Sequence, residues 1–133
     1  MNIGILTNKL YSLHLLSLAQ GLFYFITGVW PLVSIGSFQK ITGPKTDLWL
    51  VKTAGILISV IGVVLLVASF RRHQGPEMAL LAVGSAAGLT GIDVVYVAKK
   101  RISPIYLLDA LVELGLIGWW VFTWKQESLF GLD

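Results

Sequence analysis

Four long apolar segments take up most of the chain: Leu10 to Ile35, Leu48 to Phe70, Met78 to Ala98 and Ile102 to Trp124. Each approaches or exceeds the roughly 20 residues that a helix needs to cross about 30 Å of hydrocarbon. The pattern predicts one all-α domain over residues 1–133, an integral membrane bundle of four transmembrane helices arranged as two antiparallel hairpins. Its helices are expected at roughly 10–35, 48–70, 78–98 and 102–124.

The polar stretches between these segments are short. Gly36 to Asp47 is the longest, and its Gly43-Pro44 pair makes a turn that neither flanking helix can absorb. Asp47 is placed to cap the second helix. Arg71 to Glu77 turns at Gly75-Pro76 and sets Glu77 against the positive end of the third helix. Lys99 to Ser103 joins the last two segments, with Ser103 as N-cap and Pro104 at the first helical position, where its missing N–H does no harm. The first segment, preceded by Lys9, is too long for the apolar region of a signal peptide and lacks a small-x-small cleavage site, so it reads as a retained helix.

Composition fixes the solvent. Hydrophobic residues make up 56% and charged residues 13% of the chain, against about 25% charged in ordinary globular domains, and mean hydropathy is +0.80. The absence of cysteine excludes disulfides, thiolate metal sites and cysteine nucleophiles. A net charge of +3 suits contact with anionic membrane lipid. Nucleic acid is not an expected partner, because no basic stripe with interleaved aromatics lies on a soluble face.

Within this apolar background the acids stand out. Asp109 and Glu113 lie four residues apart and therefore on one stripe of the fourth helix. Asp93 sits at a comparable depth on the third, and Lys52 about one turn into the second. All four enter from the same membrane face, so a pocket opening toward the two basic loops is expected, with Tyr96 and Tyr106 flanking it and bonding its carboxylates. An ionisable side chain at membrane depth costs a few kcal/mol and marks a function or a specific partner. Three carboxylates against one ammonium cannot all be charged, so Glu113, the deepest, is expected to hold a proton near neutral pH or to share one with Asp109. Simpler roles stand beside these: Lys52 as a snorkelling residue, Asp93 as a group solvated at the interface or bonded to the next loop, and Asp109 as a clamp between helices. His14 and His73 lie on the opposite face from the acids, and nothing specifies a haem slot between them.

Small residues indicate how the helices approach one another. Gly84 and Gly88 form a GxxxG on the third helix, and Gly55 and Ser59 a small-xxx-small pair on the second. These positions serve either the bundle itself or association with a second copy or a larger membrane complex. Gln20 reads as an interhelical hydrogen-bond donor, and Trp30, Trp49, Trp119, Trp120 and Trp124 as an interfacial belt. Phe23, Tyr24 and Phe25 either pack or line a lipid-like or quinone-like groove. An offset of 60 residues matches Gly28, Lys40, Pro44, Leu48 and Gly55 with Gly88, Lys100, Pro104, Leu108 and Gly115. It implies two similarly oriented hairpins, unless Gly-rich apolar composition alone produced it.

The positive-inside rule sets Lys9, Arg71, Arg72 and Lys125 on one face against Lys40, Lys45, Lys99, Lys100 and Arg101 on the other, favouring the second as cytoplasmic. The segments GVWPLVSIGSFQKITGPKTDLWLVKTAG (28–55) and IDVVYVAKKRISPIYLLDALVELGL (92–116) resemble those of small bacterial four-helix membrane proteins of the DoxX-like group. Thr42-Gly43-Pro44-Lys45-Thr46-Asp47 and Tyr106-Leu107-Leu108-Asp109 are the signature stretches. The resemblance implies a multi-pass protein of the bacterial inner membrane and a loose association with quinone and redox complexes, but brings no reaction with it. No catalytic or cofactor motif is present, and three acids without histidine make a poor metal site, so no cofactor, metal or catalytic residue is assigned. Two classes remain. One is a membrane protein whose acidic pocket binds a small solute, a lipid-like ligand or a proton through Glu113, Asp109, Asp93, Lys52, Tyr96 and Tyr106. The other is a non-catalytic accessory subunit whose glycine faces dock on a larger complex.

Overall fold

Five helices and no strand occur among the described residues of the chain, whose structure is a computed structural model: α1 (Ile3–Val33), α2 (Ile35–Thr42), α3 (Leu48–Ser69), α4 (Pro76–Ala98) and α5 (Tyr106–Leu129). The structure describes the backbone of residues 3–71 and 75–129 and the side chains of residues 14–71 and 75–123. Arg72 and His73, and the side chains of Lys9, Trp124 and Lys125, lie outside the described residues. Four of the helices hold a stretch long and apolar enough to cross a membrane: His14–Val33, Leu48–Ser69, Pro76–Ala98 and Tyr106–Thr123.

The closest helix contact is between α1 and α3, and glycines make it possible. A Cβ on Gly28 would stand 2.6 Å from the Gly55 carbonyl oxygen and 2.5 Å from the Ser59 hydroxyl. A Cβ on Gly62 would stand 2.6 Å from the Phe25 nitrogen and 2.8 Å from the Gly21 carbonyl oxygen. Each helix therefore places a glycine every seventh residue along one seam, the spacing at which a helix keeps one face to its neighbour. Gly21 meets Gly62 and Gly28 meets Gly55, so the two helices run in opposite directions along the seam. The His14 Nδ1–H donates to the Ser69 carbonyl in the same register. Gly55 and Ser59, assigned by the sequence either to the bundle or to a partner, face Gly28 of their own chain.

The opposite holds for the glycines within α4 and α5. Gly84, Gly88, Gly91, Gly115 and Gly118 have open space where a side chain would point. The 60-residue repeat does not extend to packing: Gly28 and Gly55 touch, whereas their counterparts Gly88 and Gly115 touch nothing.

Two boundaries differ from the sequence expectation. The stretch after Val33 is not all loop, because α2 forms from Ile35 to Thr42. Its Ile35, Phe38 and Thr42 face inward, Phe38 meets Trp30 edge-on at 5.3 Å, and the Trp30 indole N–H donates to Ser37 Oγ at 2.9 Å. Gly43 ends it at φ +100°, a backbone conformation that glycine adopts without cost. At the other end, α5 is preceded by a tight turn: the Ser103 hydroxyl accepts the Ile105 N–H at 3.3 Å, and the Ser103, Pro104 and Ile105 carbonyls accept the N–H groups three residues on. Regular helix then begins at Tyr106. Asp47 occupies the N-cap position of α3, but its side chain makes no capping hydrogen bond.

The core lies where α1, α3, α4 and α5 converge, around Leu16, Tyr24, Leu65, Ala82, Leu116 and Trp120. Trp120 is therefore a core residue and not an interfacial anchor.

Candidate functional site

Polar stripes from three helices meet in this core. On α1, Ser17, Gln20 and Tyr24 follow one another at helical spacing, and all are fully buried. On α4, Ala82 and Ala86 keep the stripe narrow enough for α1 to approach, and Asp93 continues it. On α5 the stripe carries Asp109, Glu113, Leu116, Trp120 and Thr123.

Hydrogen bonds link these stripes. The Trp120 indole N–H donates to Gln20 Oε1 at 2.7 Å, and Gln20 Nε2 donates to the Ala82 carbonyl at 3.0 Å. Gln20 thus joins α1 to both α4 and α5, as an interhelical donor should. The Tyr24 hydroxyl donates to Glu113 Oε2 at 2.6 Å, a short bond between buried groups. The Gln20 and Ser85 side chains lie against the Tyr24 hydroxyl, so polar groups continue from Trp120 to Glu113.

Beyond Glu113 the site turns purely acidic. Asp93 is 4% exposed and Glu113 1% exposed, and the Asp109 carboxyl stands beside that of Asp93. Glu113 Oε1, Asp93 Oδ2 and the Thr90 hydroxyl are buried with no hydrogen-bond partner among the described residues. Among those residues no lysine, arginine or histidine forms an ion pair with any of the three acids. A carboxylate left buried without hydrogen bonds or a counter-charge is prohibitively costly. Charge neutrality in this cluster therefore calls for protons or a small cation. The three carboxyls do not form a metal-holding group among the described residues.

Asp109 also connects the cluster with the outside. It lines a cavity of about 320 Å³ whose other walls include Phe23, Thr27, Trp30, Phe38 and Tyr106.

The structure brings together Asp93, Asp109 and Glu113 and leaves out the other expected members. Lys52 is exposed on α3, which packs chiefly on α1, and it pairs with none of the three acids, so it is not the cation of the pocket. Tyr96 is 39% exposed, with the Lys99 ammonium 5.7 Å from its ring centroid. Tyr106 faces Lys45, whose ammonium lies 5.2 Å from its ring centroid. Neither tyrosine bonds a carboxylate among the described residues; Tyr24 does. Its place was readable in the Ser17, Gln20, Tyr24 stripe, which falls on one face of the first helix and puts Tyr24 near the middle of its apolar segment, as Glu113 is in the fourth.

These features define an all-α protein with four helices suited to crossing a membrane and a buried carboxyl cluster among three of them. Compared with protein-family models, curated proteins and solved structures, the chain matches none.

Proposed function

We propose that this chain is an integral membrane protein, four membrane-crossing helices in two antiparallel hairpins, whose Asp93, Asp109, Glu113 and Tyr24 bind a proton or, in its place, a small cationic solute. One observation carries this reading: Glu113 Oε1 and Asp93 Oδ2 are buried and unpartnered in a cluster without a basic side chain. Membrane insertion is supported by the large apolar side chains exposed on the long helices, among them Leu57, Leu80, Leu108, Leu111 and Phe122, which water would not tolerate in such number. The DoxX-like resemblance adds a bacterial inner membrane as the setting.

The polar ladder gives the proton a direction. From Asp109 to Thr123 it follows α5 for about 21 Å at 1.5 Å per residue, most of the hydrocarbon thickness. Intramembrane acids and hydroxyls of the kind that Asp109, Asp93, Glu113 and Tyr24 supply serve proton relay in membrane proteins, while Gln20 and Trp120 beyond them hold the ladder together by hydrogen bonds. In proteoliposomes loaded with a pH-sensitive dye, wild-type protein is expected to speed the collapse of an imposed pH gradient. Glu113→Gln, which keeps an acceptor for Tyr24 but cannot ionise, is expected to fall to the rate of protein-free vesicles. Equal rates for wild type and variant contradict the relay.

The open Gly84 and Gly88 face favours a second reading, an accessory subunit that docks on another membrane protein through α4. In that case the native protein in mild detergent is expected to migrate with a larger partner, and Gly84→Leu to release it.

A further inference from the structure

The end of the molecule where Asp109 opens outward is basic. A pocket of about 660 Å³ lies between the loop joining α2 to α3 and the loop joining α4 to α5, and Lys45, Lys100, Arg101, Thr42, Thr46 and Ser103 all line it. Three basic side chains there face one carboxylate, Asp47, and no ion pair neutralises any of them among the described residues. The pocket adjoins the aromatic cavity, with Thr42 in the wall of both. Lys45 marks the junction. Its ammonium donates to the Thr42 carbonyl at 3.3 Å and the Gly43 carbonyl at 3.1 Å, and lies 5.6 Å and 5.2 Å from the ring centroids of Phe38 and Tyr106, two walls of the cavity.

Lys100 adds an independent sign. It adopts φ +59°, the left-handed conformation that follows many helices and that glycine ordinarily takes. A lysine there carries a conformational cost that glycine would not, and sets a charge at the turn.

We propose that this end of the bundle binds an anionic phospholipid, its headgroup phosphate between Lys45, Lys100 and Arg101 and one acyl chain in the cavity walled by Phe23, Trp30, Phe38 and Tyr106. The occupant follows from the chemistry. A phosphate matches the uncompensated positive charge of the pocket, and a hydrocarbon chain matches the apolar walls that adjoin it. A free anion leaves the aromatic cavity unused, and a neutral lipid leaves the charge unanswered. The phospholipid site rests on the membrane reading; Asp109 lines the same cavity, so the site is tested by lipid-dependent stability and not by proton flux.

The test is thermal unfolding of the full chain in a mild neutral detergent, titrated with phosphatidylglycerol, phosphatidylcholine or inorganic phosphate. Phosphatidylglycerol is expected to raise Tm at concentrations where the other two do not. Each basic charge removed is expected to weaken that response roughly fivefold, as expected for about 1 kcal/mol per basic residue near an anionic headgroup. Lys100→Gly removes charge while giving the turn the residue its backbone favours, so loss of binding cannot be laid to a damaged fold. Lys99→Gln, outside the pocket, is expected to respond as wild type does. Equal stabilisation by phosphatidylcholine, an equal effect of inorganic phosphate, or an undiminished response in both Lys100→Gly and Arg101→Gln overturns the proposal. None of these outcomes bears on the proton flux of Glu113→Gln, so the two readings fail separately.

Discussion

Gly28→Val is expected to destabilise the protein by about 3 kcal/mol or more, the largest effect of any single substitution considered, because its side chain has nowhere to go. The first atom added at Gly28 meets the Gly55 carbonyl oxygen and the Ser59 nitrogen, at 2.6 and 2.7 Å. Both belong to the α3 backbone and cannot swing aside as a side chain does. Relief therefore requires α1 and α3 to separate, and with them the paired contact of Gly21 with Gly62. Gly84→Val is the matched control: the same change on an open face is expected to cost little in the isolated chain. Unfolding of both variants in mixed detergent, followed by circular dichroism, checks the contrast. Equal losses at the two sites would mean that the seam is not where the bundle is held.

A second large effect is expected at the bond between Tyr24 and Glu113. Tyr24→Phe leaves the buried carboxyl without its one donor among the described residues, and is expected to cost about 1–3 kcal/mol, the desolvation of an unmet polar group. Glu113→Leu removes the acceptor of the Tyr24 hydroxyl, which keeps only the Gln20 and Ser85 side chains beside it. Replacing both together removes donor and acceptor at once, and is expected to cost clearly less than the two single losses added. A double-mutant cycle read by thermal unfolding measures that coupling. Additive losses would show that the bond contributes nothing of its own.

The four membrane-length helices were legible because their apolar runs are long and their joints carry Gly-Pro and Ser-Pro. The short α2 was not. Gly36, Ser37, Gln39 and Lys40 give its stretch the look of a loop, and Ile35, Phe38 and Thr42 make a stripe too short for periodicity to register. The depth of the acids was legible as well, since residue count along a helix converts directly to depth. Which helices are neighbours is not encoded in depth. Lys52 has the right depth for Asp109, yet α3 packs on α1 through Gly55 and Gly62, and it is α1 that packs on α5, the helix of Asp109 and Glu113, so Lys52 stays exposed. The same ordering of helices explains the tyrosines. Tyr96 and Tyr106 are near the acids in sequence but turn to Lys99 and Lys45, whereas Tyr24, far away in sequence, reaches Glu113 across the core. The glycine seam was half visible: Gly55 was noted with Ser59, but the seven-residue pairs Gly21 with Gly28 and Gly55 with Gly62 emerge only when both helices are compared.

The central claim is that the Asp93, Asp109 and Glu113 cluster holds a proton inside the bilayer. Infrared spectroscopy of the protein in lipid nanodiscs tests it most directly, through the carbonyl stretch that a carboxylic acid shows and a carboxylate lacks. At neutral pH the wild type is expected to show this band, shifted in deuterium oxide and lost or weakened in Glu113→Gln or Asp93→Asn. A wild-type spectrum with carboxylate bands alone, or an acid band unchanged in both variants, would contradict it.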